Sequence, residues 1–251
     1  MHLEEFAEGD SFFHRLDPRV KFITTIPYIF VIAVMKGING PLSALIISLF
    51  MIAVSRISLK KLMGRLMVVN VFILALWVFL PFSVPGEAVF SIGSLRATHE
   101  GFLYVLSITL KANAIVLATI ALLGTSEVFS LAHALAHLKL PDKLIYLFFF
   151  FYRYISVLHE EYTRLRHAML IRCFRPKTNM HTYKTYAYLV GMLIVKSYDR
   201  SQKIYDAMLC RGYTGRFPII SHFTLKKTDL SFGFFMGLIT IILAIIARNG
   251  G

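Results

Sequence analysis

Charged residues are scarce in this sequence: they make up 16% of its 251 residues, and only 14 residues are Asp or Glu. Soluble globular domains carry about 25% charged residues, so the composition excludes an ordinary soluble domain. Hydrophobic residues make up 57% of the chain, and the mean hydropathy is +0.65. This balance is typical of a protein whose solvent is mostly lipid.

Several patterns with well-understood chemistry are also missing. Only two cysteines occur, Cys173 and Cys210, which excludes a disulfide framework. The phosphate-binding pattern Gly-x-x-x-x-Gly-Lys-Ser/Thr is absent, so any use of ATP must rest with a partner. Residues 1–19 begin with acidic residues and lack the regions of a signal peptide, so we expect none. There is no paired-carboxylate or nucleophile-and-base pattern, so we expect neither an enzyme nor a bound cofactor.

Five apolar segments predict five transmembrane helices. They are Val20–Met35, Leu42–Val54, Leu66–Phe82, Phe102–Leu123 and Leu230–Ala247. The last three approach the roughly 20 residues that cross a bilayer. The first two are short, but the turn sequence between them indicates a tight transmembrane hairpin, whose flanking cations can reach the membrane surface.

The distribution of Lys and Arg predicts the orientation in the membrane. The loop Ser55–Arg65 is basic, whereas Ser83–Gly101 carries only Arg96 and is expected to form a small external turn and strand or hairpin. Basic loops remain preferentially in the cytoplasm. We therefore expect a cytoplasmic N-terminus, an external C-terminus and a cytoplasmic segment 124–227, which holds sixteen Lys and Arg against six Asp and Glu.

The segment 124–227 predicts three helices. They are a short amphipathic helix at Ser126–Leu138, a long helix from Pro141 to about Cys173 that is stopped by Pro176, and a second long helix from about His181 to Cys210. The predicted fold is an all-α membrane protein with five transmembrane helices and a cytoplasmic three-helix coupling domain between the fourth and fifth. Its predicted domains are 1–123, 124–227 and 228–251.

The charges on the two long helices predict mostly a solvated face. Glu160 and Arg164 are spaced as an i,i+4 ion pair, and so are Asp199 and Lys203. Each such pair is worth only a few tenths of a kcal/mol, roughly.

Both long helices finish with the pattern Ala-Met-Leu-x-Arg, at residues 168–172 and 207–211. An arginine in the last turn of one helix would merely complement the helix dipole, for about 0.3–1 kcal/mol. Two copies at matching ends suit two rigid prongs whose guanidinium groups engage carboxylates or carbonyls on other proteins.

The pair Ile171-Arg172-Cys173 and Cys210-Arg211-Gly212 resembles the signature of the transmembrane T component of energy-coupling factor (ECF) transporters. The segment His14–Lys21 is similar to that family's N-terminal motif, in which Asp17 and Pro18 would cap and start the first helix. Residues 207–218 most closely resemble the cobalt branch, CbiQ. The resemblance covers essentially the whole chain.

The resemblance implies partners and site residues. Two cytoplasmic ATP-binding subunits would receive Arg172 and Arg211 in grooves, and a separate substrate-binding membrane subunit would contact the chain. Cys173 departs from the family, which often has glycine there, and Pro176 would then end the helix. We expect membrane lipid but no nucleic acid as a partner.

Two further pairs of residues could form sites but also have simpler explanations. Lys111 and Asn113 interrupt the fourth span near its centre, where they could serve an ion relay or a subunit contact, or could pair within the bundle. His133 and His137 have a spacing that allows one metal to be shared, but no acidic residue or cysteine supports them, so we assign no metal site.

These observations predict a T component of an ECF-type ABC importer, for cobalt first and nickel next on the resemblance alone. One alternative is the T component of a vitamin-type ECF importer. From another class, the alternatives are a membrane-embedded enzyme or a secondary transporter that uses Lys111.

Overall fold

Seven α-helices, a 3-10 helix, a π-helical turn and a β-hairpin are found among the residues that the computed structural model describes, which are 9–86, 88–92, 95–128, 130–131, 134, 141–215 and 226–249. The helices are α1 (Pro18–Val34), α2 (Asn39–Ser55), α3 (Leu59–Ser83), α4 (His99–Thr119), α5 (Asp142–Ile171), α6 (Met180–Cys210) and α7 (Lys227–Asn249). The chain divides into a bundle unit, residues 2–140 with 224–251, and an arm unit, residues 141–223.

In the bundle unit, α4 lies centrally and packs against α1, α2 and α3, while α7 packs against α1 and α2. Ala114, Ala118 and Ala121 are fully buried on α4 and its continuation as a π-helical turn, Ile120–Gly124. Such small side chains allow helices to approach closely, as is common in membrane bundles. Tyr28 on α1 is fully buried, and its hydroxyl donates a 3.2 Å hydrogen bond to the carbonyl of Ala44 on α2.

Three helical segments are long and apolar enough to cross a membrane: Leu59–Ser83, His99–Gly124 and Lys227–Ala247. They contain the last three predicted spans, and the prediction of an all-α membrane protein is confirmed. By contrast, α1 and α2 have 17 residues each, or about 26 Å of helix, against a hydrocarbon core of about 30 Å. Their crossing of the membrane stays a prediction.

A buried polar cluster joins the starts of α1 and α7 to the end of the π-helical turn. The Lys21 ammonium is fully buried and donates to Thr125 Oγ1 at 3.2 Å and to Ser126 Oγ at 2.7 Å. Asp229, 2% exposed, accepts the backbone N–H of Asp17 at 3.1 Å. Asp17 caps α1 as predicted, because its carboxylate accepts the N–H of Arg19.

The predicted hairpin between the third and fourth spans is present. Strand β1 (Ala88–Ile92) pairs antiparallel with β2 (Leu95–Thr98). Thr98 then caps α4, since its hydroxyl accepts the N–H of Gly101 and donates to the carbonyl of Val84. This hairpin is the one addition to an otherwise helical architecture among the described residues.

The arm unit contains α5 and α6, of 30 and 31 residues, which are each about 45 Å long. The two predicted long helices are therefore present, although Pro141 is the N-cap of α5 and does not lie in its first turn. Asn179 caps α6, and its side chain accepts the N–H of Thr182 at 2.9 Å. The predicted short helix at 126–138 lies mostly outside the described residues.

Candidate functional site: two arginine-tipped helix ends

The end of α5 is closed by a pair of backbone hydrogen bonds around Arg172. The N–H of Cys173 donates to the carbonyl of Leu170 at 2.9 Å, and the N–H of Phe174 donates to the carbonyl of Met169 at 3.1 Å. This pair of bonds is the Schellman motif, which requires a left-handed residue after the C-cap. Cys173 takes that conformation, with φ of 59°.

The end of α6 repeats the same geometry around Arg211. The N–H of Gly212 donates to the carbonyl of Leu209 at 2.9 Å, and the N–H of Tyr213 donates to the carbonyl of Met208 at 3.0 Å. Gly212 has φ of 78°, the counterpart of Cys173. The repeated sequence therefore ends in a repeated backbone structure.

The cap at Cys173 corrects one expectation. The sequence predicts that Pro176 ends α5, but the helix already ends at Ile171, and the hydrogen bonds of the Schellman motif are complete before the proline. A cysteine thus occupies a position where glycine is favoured. A non-glycine residue in this conformation carries a backbone cost on the order of 1 kcal/mol.

The side chains of both motifs point to solvent. Ile171 is 83% exposed, and Arg172, Cys173, Cys210, Arg211 and Gly212 are also exposed. Within the described residues, neither Arg172 nor Arg211 takes part in an ion pair. Two guanidinium groups are therefore presented on capped helix ends, with their hydrogen-bonding capacity open to an external carboxylate or carbonyl.

Glu161 joins the two helices through an ion cluster. It is 6% exposed, and Lys196 on α6 donates to its Oε1 at 2.5 Å. Arg200 on α6 lies 3.8 Å from Oε2, and Arg164 on α5 lies 3.4 Å from the same oxygen. The hydrogen bond from Lys196, together with the charges of the three cations, holds the pKa of Glu161 below its ordinary value.

This cluster is a feature that the sequence did not reveal. The spacing had pointed to Glu160 as the partner of Arg164, whereas Arg164 pairs with Glu161. Only the crossing of α5 and α6 decides which of the two neighbouring glutamates is enclosed by cations. No signal in one sequence marks that choice.

The arginine tips lie at opposite ends of this antiparallel pair. From Glu161 to Arg172 there are 11 residues, or about 16 Å of helix. From Lys196 to Arg211 there are 15 residues, or about 22 Å. Each of these two helical segments, which we call an arm, is a lever that extends from the ion cluster.

A groove of about 570 Å³ lies between the helices and is lined by Phe150, Tyr154, Leu158, Ile204, Tyr205 and Met208.

Asn113 in α4 is paired inside the bundle unit. Its Nδ2 donates to Asn70 Oδ1 on α3 at 3.1 Å, and Asn70 Nδ2 donates to Asn113 Oδ1 at the same distance. Each amide also donates to a carbonyl of its own helix, at Leu66 and Thr109. This reciprocal pair accounts for Asn113 as a link between α3 and α4.

The Lys111 side chain contacts α1 instead of α3, and its contact is longer than those between Asn113 and Asn70. Its ammonium lies 3.5 Å from the carbonyl of Ala33 on α1. Within the described residues it has no carboxylate partner. The structure thus separates Lys111 from Asn113, so the two do not form one polar site.

The described residues contain no group of three or more His, Cys, Asp or Glu side chains that could hold a metal ion. His133 and His137 lie outside the described residues. The prediction that they form no metal site therefore stays a prediction.

Comparison with known proteins identifies the family. The CbiQ family, described as cobalt transport protein, matches residues 9–220. An uncharacterized protein of Methanocaldococcus jannaschii is 25% identical over 98% of this chain and 86% of its own length. The energy-coupling factor transporter transmembrane proteins EcfT of Streptococcus thermophilus and Thermosediminibacter oceani are 29% and 24% identical. The former match covers 84% of both chains, and the latter covers 84% of this chain and 83% of its relative.

The two EcfT relatives are named as components of a transporter, which confirms the predicted family and the prediction of a transport protein instead of an enzyme. The family match spans most of the chain and includes both arginine motifs. The chain therefore belongs to the CbiQ family, the transmembrane components of energy-coupling factor transporters.

Proposed function

We propose that this protein is the coupling subunit of an ATP-driven ECF importer. In this complex, Arg172 and Arg211 each bind in a groove of one of two cytoplasmic ATP-binding subunits, and we call each such binding site a seat. The observation that carries the proposal is the duplicated helix end. Two copies of one sequence pattern finish in one cap geometry, and each presents an exposed arginine with no internal ion pair among the described residues.

The chemistry of the tips suits this role. A guanidinium group offers a planar fork of donors that can bind a carboxylate through two parallel hydrogen bonds. The Schellman caps fix the direction in which each helix ends, so little conformational freedom is lost when a tip is bound. Because Glu161 ties α5 to α6, movement of one seated tip would be transmitted to the other arm.

The arm unit also offers a surface for the substrate-binding membrane subunit. Large apolar side chains are exposed along both helices, among them Leu147, Phe151, Tyr188, Ile194 and Val195. Exposed apolar surface of this extent marks a contact with protein or membrane. In the proposed mechanism, closure of the ATP-binding subunits moves the arms, and this surface passes the motion to the substrate-binding subunit.

We propose cobalt as the substrate, with nickel next, because the matching family is described as cobalt transport protein. The alternative is a vitamin-type ECF importer, since the EcfT relatives carry no metal in their names. The substrate would be held by the separate subunit, and the identity of that subunit distinguishes the alternatives.

The proposed orientation places the basic segment Ser55–Arg65, which runs from the end of α2 into the first turns of α3, in the cytoplasm together with the arm unit, and places the β1–β2 hairpin outside. This arrangement puts both arginine tips on the side where ATP is available. Labelling of Cys173 and Cys210 in sealed cells with a membrane-impermeant thiol reagent tests it. Both cysteines are exposed, so they should react only after the membrane is opened, and reaction in intact cells would reverse the orientation.

The test of function is purification of the tagged chain from its native membrane in mild detergent, followed by mass spectrometry of what accompanies it. We expect an ATP-binding subunit and a small membrane subunit with the wild type. The Arg172→Glu, Arg211→Glu double variant should remain folded and lose the ATP-binding subunit. Lys203→Glu, which reverses an exposed charge elsewhere on α6, is the matched control and should retain it.

Two outcomes would overturn the proposal. One is the absence of any ATP-binding subunit from the wild-type preparation. The other is its full retention by the double variant. A co-purifying subunit that binds a vitamin instead of cobalt or nickel would keep the coupling role and replace the substrate.

A further inference from the structure

The connection between α5 and α6, residues 172–179, is held in a fixed conformation. Phe174 packs against His181 and Tyr186 of α6, with ring centroids 6.1 and 5.9 Å apart. Thr182 is 7% exposed, and its hydroxyl accepts the backbone N–H of Lys177 at 3.1 Å while it donates to Asn179 at 2.7 Å. Side chains that project from this connection therefore have defined positions.

This connection is strongly and exclusively basic. Between Glu161 and Asp199 the sequence contains no acidic residue. We define the elbow surface as Arg172, Arg175, Lys177 and Lys184, all of which are exposed. Within the described residues none of these four side chains takes part in an ion pair. Three of them lie within six consecutive residues, so they repel one another until an anionic partner binds.

The elbow surface also includes a cleft. A cleft of about 580 Å³ is lined by Met169, Arg172, Cys173, Phe174, Arg175, Lys177, His181 and Thr185. Ile171 and Leu170, 83% and 51% exposed, project beside it. Cations that surround protruding apolar side chains are typical of a protein interface with a charged rim.

The other arginine tip has a different environment. Towards the end of α6, Arg200, Lys203 and Arg211 are accompanied by Asp199 and Asp206. Acidic residues therefore offset two of the four cations between Lys196 and Arg211, whereas the elbow surface contains no acidic residue. The two tips share a backbone geometry, but acidic residues occur near Arg211 in the sequence and not near Arg172.

We propose that the elbow surface binds an acidic patch on the ATP-binding subunit that receives Arg172, and that the seat of Arg211 requires no such patch. This inference rests on the proposed function. It assigns a specificity role to Arg175, Lys177 and Lys184, which lie beside the motif arginine and are continuous with it. Rim charges of this kind accelerate association and make binding sensitive to salt.

One consequence is that the two arginines differ in which surface of an ATP-binding subunit they can bind. If the two ATP-binding subunits differ, the one with an acidic rim binds at Arg172. If they are two copies of one chain, the acidic rim is used at Arg172 and left unpaired at Arg211. In both cases binding of the ATP-binding subunit at Arg172 should weaken more than binding at Arg211 as the salt concentration is raised.

The experiment measures binding of the purified ATP-binding subunits to the full-length chain in nanodiscs, between low and high NaCl. The elbow variant is Arg175→Gln, Lys177→Gln, Lys184→Gln. The matched control removes the same number of exposed positive charges elsewhere on the chain: Lys60→Gln, Lys143→Gln, Lys203→Gln. A charge-preserving variant, Arg175→Lys, Lys177→Arg, Lys184→Arg, separates loss of charge from loss of shape.

We expect the elbow variant to bind about tenfold more weakly at low salt and to lose less affinity as salt rises than the wild type does. The control and the charge-preserving variant should behave as the wild type. If the elbow variant matches the wild type at every salt concentration while Arg172→Glu abolishes binding, this inference is overturned and the proposed function stands.

Two other results would also overturn it. One is an elbow variant that keeps the ATP-binding subunit but loses binding to vesicles of anionic phospholipid, which would make the surface a membrane contact. The other is an equal loss of affinity in the elbow variant and the matched control. This result would show that affinity depends on the net charge of the chain and not on the elbow surface. Failure of Arg172→Glu itself to weaken binding would instead refute the proposed function.

Discussion

Cys173 and Gly212 occupy the same position after the two motif arginines, and both take a left-handed backbone conformation, with φ of 59° and 78°. Glycine adopts this conformation without steric cost, whereas a residue with a Cβ does not. The two helix ends thus have one geometry but different intrinsic stability. The end of α5 should fray more readily than that of α6.

Cys173→Gly should stabilise the end of α5 by about 1 kcal/mol. Amide hydrogen exchange of a peptide that covers residues 168–175 in the full-length protein should then slow about fivefold. Gly212→Ala should have the opposite effect on the end of α6. Nothing lies within 4 Å of a Cβ added at Gly212, so this cost comes from the backbone alone.

Gly191→Ala is the control for these changes. Gly191 is in the interior of α6, and an added Cβ there also meets nothing within 4 Å. Alanine is better than glycine inside a helix by about 0.5–1 kcal/mol, so this substitution should slow exchange. If Gly191→Ala and Gly212→Ala changed protection in the same direction, the Schellman geometry at Gly212 would be wrong.

Glu161→Gln should loosen the crossing of α5 and α6, because it removes the anion that three cations share. Cys173 and Cys210 are the only cysteines, are exposed and lie at the two tips, so they serve as sites for spin labels. Pulsed electron paramagnetic resonance should report a broader distance distribution in the variant. Glu160→Gln, which removes the neighbouring exposed charge, should leave the distribution narrow.

The same cluster predicts a direction for pH dependence. The pKa of Glu161 is lowered by Lys196 and the nearby arginines, so the unfolded arm pair binds the proton more tightly than the folded one. The ionised Glu161 side chain therefore contributes to the stability of the arm unit above the pKa of the unfolded chain, about 4.5. This contribution is lost as the pH falls through the lower pKa of the folded state. A narrowing of the label distance distribution on acidification would contradict this.

The sequence predicted elements whose signals are local. Asp17 and Pro18 start α1, the apolar runs form the long helices, and the repeated Ala-Met-Leu-x-Arg pattern closes α5 and α6. Each of these signals depends on residues within one or two helical turns. The family resemblance added the proposed meaning of the two arginines, which spacing alone would have left as dipole caps.

Long-range pairing could not be predicted in the same way. Asn70 and Asn113 are 43 positions apart, and Asp17 and Asp229 are 212 positions apart. A polar residue in an apolar segment indicates that a partner exists, but the packing of the helices decides which one. For the same reason the sequence suggests one polar site at Lys111 and Asn113, although the two side chains contact different helices.

The amide pair between α3 and α4 should be energetically coupled. Asn70→Ala and Asn113→Ala each leave the other amide without its interhelical partner, so each should destabilise the bundle by on the order of 1 kcal/mol. The double variant should cost less than the sum of the two, because no orphaned amide remains. Thermal unfolding of the four proteins in one detergent measures the coupling, and strict additivity would show that the pair contributes nothing.

Lys111→Leu separates the coupling role from the intramembrane relay. The only described polar contact of the Lys111 ammonium is the Ala33 carbonyl at 3.5 Å, and no carboxylate among the described residues pairs with it. We therefore expect the variant to assemble with its partners and to retain substrate uptake in reconstituted vesicles within about twofold, since a contact of that length contributes little. Lys111→Arg is the control for charge at this position. Loss of uptake in Lys111→Leu with assembly intact, and its recovery in Lys111→Arg, would instead place an essential charge inside the membrane and make the arms insufficient to explain transport.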